Sequence, residues 1–169
     1  MTARDLEAIN ADITIAKTLM YNQNLSRNPY IINQVAYHSC QAIEKSLKAI
    51  IRNEGKMTTG LSRSHSISSL MLGCETCRQG IIHEYPFITK NAEVLTKFNS
   101  LRYAERGVNK ADAFALFKEA QKLHRNLEKE YLKDDLSKRK MRELSLKEYN
   151  RLEKYSLDKS MMKQKNNVR

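Results

Sequence analysis

AYHSCQAIEKSLKAII, residues 36–51, spaces Ala36, Ile43, Leu47 and Ile50 by seven, four and three residues. At about 100° per residue these side chains, with Ile32, share one side of a helix. His38, Gln41, Lys45 and Arg52 fall on nearly the opposite side. Periodicity alone admits a solvated face there. Ala42 and Ala49 flank that polar stripe, and small residues let a second helix approach closely. Asn28-Pro29 upstream is a helix start, with Asn as cap and Pro in the first turn. Gly55 is placed to end the segment after Asn53.

The same pattern extends outward along the chain. Thr2 and Asp5 have capping-box spacing, with Asp in place of the usual Glu. Leu6, Ile9, Ile13, Ala16 and Met20 then predict a first helix over 3–23. After the loop NQNLSRN and the 29–53 helix, a third helix starts near Ser66, with Ile67, Leu70, Met71, Cys74 and Cys77 inward and Gly80 closing it. Pro86 leads to a fourth over 87–105, with Ile88, Ala92, Leu95 and Phe98 inward and Gly107 ending it. A fifth, over 110–133, carries Ala113, Leu116, Phe117, Ala120, Leu123 and Leu127 on one stripe. No strand-like alternation and no internal repeat is visible. The expected fold is an all-α, five-helix up-and-down bundle over residues 1–133.

From Asp134 onward the composition shifts to eleven Lys/Arg against six Asp/Glu. This predicts a basic extension over 134–169. Ser145 and Glu148 make a second capping-box pattern, and Leu144, Leu152 and Tyr155 suggest one further helix before a frayed KQKNNVR end. The extension reads either as a basic surface for nucleic acid or an acidic partner, or as a solvated appendage.

The 169 residues carry a net charge of +11. That favours an anionic partner without choosing among nucleic acid, nucleotide phosphate and acidic protein. No window approaches the ~20 apolar residues of a membrane span. Cys40, Cys74 and Cys77 form no paired framework, in keeping with a reducing compartment. The expectation is a soluble, cytoplasmic protein with no membrane role. Cys74-x-x-Cys77 with His65 or His83 is a weak zinc signal, because both cysteines lie on an apolar helix face. Neither a metal nor another cofactor is expected. His124, at the edge of the fifth stripe, reads as structural. No Gly-rich phosphate loop, Ser-His-Asp set or paired-carboxylate motif is present.

The Gln41-Ala42-x-Glu44-Lys45-x-x-Lys48 core resembles the HEPN family (higher eukaryotes and prokaryotes nucleotide-binding). Ser64-His65-Ser66-Ile67-Ser68-Ser69-Leu70 and Leu101-Arg102-Tyr103 agree with it in order and spacing, so the resemblance covers about residues 3–133. It implies a small helical bundle that often forms a homodimer, frequently beside a nucleotidyltransferase partner in toxin–antitoxin systems. It turns the polar face of residues 38–52 into a surface meeting a partner subunit or ligand.

Many members of that family cut RNA with an Arg followed four to six residues later by His. Here Gly107, Val108 and Asn109 occupy the positions after Arg102. Asn109 can bond a ribose or phosphate but exchanges no proton near neutral pH. Metal-free RNA cleavage needs a group to deprotonate the 2′-hydroxyl or protonate the leaving oxygen. His38 and His65 are the alternatives, so the catalytic candidates are Arg102, His65 and His38. Arg102 follows Leu95 by seven and Phe98 by four, toward the apolar row, where a guanidinium needs an anion. The partner is either a structural carboxylate such as Glu44 or Glu105, or a ligand phosphate. Gln41, Glu44, Lys45, Tyr103, Arg106 and Asn109 complete the ligand-binding candidates. The expectation is binding of RNA, nucleotide or a nucleotidyltransferase. An endoribonuclease toxin with a relocated histidine and a non-catalytic adaptor are the alternatives.

Overall fold

The second helix is the centre of the molecule: thirteen of its 25 residues are buried, on several sides rather than one. The computed structural model describes residues 1–21, 28–98 and 108–166, with side chains described for 1–21, 28–97 and 108–147. Within these residues there are helices and no strands. They are α1 (Ala3–Tyr21), α2 (Pro29–Asn53), α3 (Thr59–Arg63), α4 (Ile67–Cys77), α5 (Ile81–Glu84), α6 (Pro86–Phe98) and α7 (Lys110–Asn166). No helix among the described residues is long and apolar enough to cross a membrane.

Helices α1, α2 and α4 begin where the chain supplies a cap. Thr2 and Asp5 bond reciprocally, Asp5 N–H donating to Thr2 Oγ1 at 3.1 Å and Thr2 N–H to Asp5 Oδ2 at 3.0 Å. Asn28 Oδ1 accepts from Tyr30 N–H at 2.9 Å, and Pro29 opens α2. Ser66 Oγ accepts from Ser69 N–H at 3.2 Å at the head of α4. These bonds satisfy helix N–H groups that have no partner within their own helix. Gly55, just beyond α2, and Gly80, between α4 and α5, have φ of 66° and 90°, where a side chain would be strained.

Helix α1 packs along α2, α4 and α6 lie on α2 and on each other, α5 bridges α4 and α6, and α3 rests on α4. One continuous apolar core joins them, including Ile9 and Ile13 of α1, Ile43 and Leu47 of α2, Leu70 of α4, Ile88 of α6 and Phe117 of α7. Tyr21 of α1 meets the Phe117 ring edge-on at 6.3 Å. Tyr85, between α5 and α6, is buried, and its hydroxyl accepts from Asn126 of α7 at 2.8 Å. Burial pushes the Tyr85 hydroxyl up to about 12.

The architecture departs from the five-helix expectation in three places. Thr58 caps the extra helix α3, accepting from Leu61 N–H at 3.2 Å. Helix α5 is a four-residue turn, tied to α4 by Glu75, which accepts from Gly80 N–H at 2.8 Å and Ile82 N–H at 3.2 Å. Beyond residue 133, α7 continues unbroken to Asn166, where the sequence suggests an interruption. The reason is local: 134–166 contains neither Gly nor Pro, and Lys138–Asp134 (2.7 Å) and Arg139–Asp135 (2.9 Å) pair one turn apart. By its internal contacts the chain divides into two compact units, Met1–Lys129 and Glu130–Arg169. In the second, Leu136, Met141, Leu144 and Leu146 are exposed.

Candidate functional site

The polar stripe of α2 faces α1. His38, Lys45 and Arg52 recur every seven residues along α2, and Asp5 and Asp12 are seven apart on α1. Asp12 receives Lys45 Nζ at 2.6 Å on one oxygen and lies 2.8 Å from His38 Nδ1 with the other. Lys45 also donates to the Ala8 carbonyl at 3.3 Å. Arg52 Nη1 pairs with Asp5, and the amino terminus bonds Asn53 Oδ1 beside it. The stripe is therefore a ladder of interhelical contacts. Ala42 and Ala49, both fully buried, lie within about 40° of His38 on the helical wheel and leave room for α1 to close on it.

Burial works against charge on the Asp12 carboxyl, but the bonds from His38 and Lys45 outweigh it and hold the group below the usual aspartate value. Asp5 behaves alike: partial burial is overcome by the Thr2 cap and by Arg52. Because Asp12 holds Lys45, an incoming anion must displace a carboxylate before it can use that ammonium.

Glu44 lies on a different side of α2 and is buried. Its carboxylate receives Lys48 Nζ at 2.9 Å and stands 3.1 and 3.2 Å from His65 Nδ1. The Gln-Ala-x-Glu-Lys stretch and the Ser-His-Ser stretch thus touch through Glu44 and His65. His65 itself is 69% exposed, so one buried carboxylate orients an accessible imidazole. The two candidate histidines are held by different carboxylates, His38 by Asp12 and His65 by Glu44.

Asn109 sits at the head of α7 as a cap. Its Oδ1 accepts from Asp112 N–H at 2.9 Å, and its Nδ2 donates to Asp112 Oδ2 at 2.6 Å. Just before it, Val108 N–H donates to Oδ1 of the buried Asn33 at 2.9 Å, anchoring the start of α7 to α2. Gln41 is half-buried on α2. Arg102, Tyr103 and Arg106 lie outside the described residues, as does the Arg102–Glu105 alternative.

Cys74 and Cys77 donate to backbone carbonyls, Cys74 Sγ to Leu47 O at 3.4 Å and Cys77 Sγ to Gly73 O at 3.0 Å. Burial pushes the Cys74 thiol up to about 12, and Cys40 is raised by burial still more. Neither buried thiol is a ready thiolate at neutral pH.

Asp12 is the residue that sequence reasoning missed. The signal was present: the seven-residue interval from Asp5 to Asp12 matches the interval shared by His38, Lys45 and Arg52. No family model, curated protein or solved structure matches this chain.

Proposed function

We propose that this chain is a HEPN-type helical bundle that binds RNA, nucleotide or a nucleotidyltransferase partner, as a homodimer or within a toxin–antitoxin or defence-type pair. The observation that carries the reading is the Glu44–His65 contact at 3.1 Å. It joins two of the three sequence stretches on which the family resemblance rests. The described residues are helical with no strands, in keeping with an all-α protein, and the net charge of +11 suits an anionic partner.

Asp12 already engages Lys45 and His38, which shifts the weight of anion binding onto Arg102 and its sequence neighbours Tyr103 and Arg106. Titrating short single-stranded RNA over a salt series tests the binding role. Affinity falling linearly with salt on logarithmic axes is expected; affinity indifferent to salt contradicts it.

The geometry of His65 favours one second reading. An exposed imidazole oriented through Nδ1 by a buried carboxylate is arranged as an acid–base group is. In this reading the chain is a metal-independent endoribonuclease in which His65 or His38 serves Arg102. RNA cleavage in EDTA, abolished by His65→Ala or His38→Ala, supports it. Intact RNA under those conditions leaves the binding role. An adaptor role is supported instead if RNA neither binds nor is cut while a stable protein complex is recovered.

A further inference from the structure

Helices α1 and α7 leave a groove of about 250 Å³ between them, inside the Met1–Lys129 unit and lined by six long polar side chains together with Ile13 and Thr14. Asn10 and Lys17 contribute from α1, and Gln121, His124, Arg125 and Glu128 from α7. Among the described residues, no hydrogen bond or ion pair reaches any of these six side chains. That contrasts with the α1–α2 ladder, where Asp12, Lys45 and His38 engage one another.

His124 makes the contrast sharpest. It is 9% exposed, with no bond to its ring among the described residues and its ring nitrogens still reached by solvent. A ligand atom entering the groove can take the place of that solvent contact. Arg125 and Glu128 stand three residues apart, and His124 and Glu128 four, spacings at which helical side chains meet. The structure leaves these pairs unmade. The groove therefore presents two cations, an imidazole and two amides, with a single carboxylate.

We propose that this groove binds a small hydroxylated phosphomonoester of the sugar-phosphate class. Lys17 and Arg125 receive the phosphate, His124 bonds one of its oxygens, and Glu128 accepts from a hydroxyl of the ligand body. Arginine's planar fork suits a phosphate oxygen pair, and lysine adds a mobile charge. The size is just below the usual range for drug-sized ligands, so a compact molecule is the fitting occupant. An anion engaging these groups displaces water alone, whereas at Lys45 it must first break a native ion pair. The inference is independent of the HEPN reading, because it uses neither Arg102 nor the residue 38–52 stripe.

Calorimetric titration of the full chain with ribose 5-phosphate, inorganic phosphate and ribose tests it. Ribose 5-phosphate should bind saturably at one site and more tightly than inorganic phosphate, with ribose alone inert. Arg125→Ala and Lys17→Ala, both at exposed positions, should each weaken ribose 5-phosphate by about tenfold. Glu128→Gln should weaken ribose 5-phosphate while leaving inorganic phosphate unchanged. Unaltered thermal unfolding of these variants would show the fold intact. Absence of saturable binding overturns the proposal, as does binding that survives both Arg125→Ala and Lys17→Ala. Equal affinity for ribose 5-phosphate and inorganic phosphate overturns the assignment of Glu128 and of the ligand class.

Discussion

Asp12 and Lys45 meet at 2.6 Å across the seam between α1 and α2, and His38 reaches the other oxygen of the same carboxylate. Together with the Arg52–Asp5 pair, this three-residue contact fixes the register of two helices whose apolar contacts are less selective. Removing the carboxylate strands two polar partners at once. Asp12→Ala should lower stability by about 2 kcal/mol, read from the urea midpoint. Lys45→Met should cost less, because Lys45 is 41% exposed and His38 still occupies the carboxylate. Equal, negligible effects would mean that the seam is held by its apolar contacts and the Arg52–Asp5 pair without Asp12.

The same carboxylates set an acid limit. Asp5 and Asp12 are both lowered when folded, so the unfolded chain takes up protons first as pH falls. The stability they contribute is complete above the unfolded aspartate value of about 3.9 and is lost as pH drops through the lower folded values. The urea midpoint should therefore fall from about pH 5 downward. Asp12→Asn should make that fall shallower; an unchanged slope would remove Asp12 from the acid transition.

Asn109 gives a direct separation of cap from ligand contact. Losing its bonds to Asp112 should cost about 1 kcal/mol in Asn109→Ala, whereas Asn109→Ser should retain most of the stability. Thermal unfolding of the two variants checks this. A loss of RNA affinity with unchanged unfolding would assign Asn109 to the ligand instead.

Tight approach of α1 depends on Ala42 and Ala49. Ala49→Leu adds three carbons to a fully buried position and should destabilise by about 1–3 kcal/mol. A neutral effect in a denaturant titration would show that the seam is loose there.

Much of the fold was legible because the chain marks its helix starts and turns locally. Thr2 and Asp5, Asn28-Pro29, Ser66 and the two positive-φ glycines act within a few residues of themselves. The apolar stripe predicted for 110–133 is buried at every named position from Ala113 to Leu127. Helices α3 and α5 were not legible, since helices of five and four residues are too short to carry a periodic signal. The continuity of α7 past residue 133 escaped because a change in charge was given more weight than the absence of breakers. The stripe of His38, Lys45 and Arg52 was recognised as a face, but its occupant depended on α1. One helix's sequence does not say which neighbour's aspartates will meet it.

Binding of a short single-stranded RNA to the full chain, wild type against Arg102→Ala, across roughly 50 to 200 mM salt is the most direct test. Loss of one phosphate contact should weaken binding at low salt and reduce the salt slope by about one. Lys45→Ala, whose ammonium is already held by Asp12, should change that slope much less. Identical slopes and affinities for wild type and Arg102→Ala would contradict an RNA role centred on Arg102.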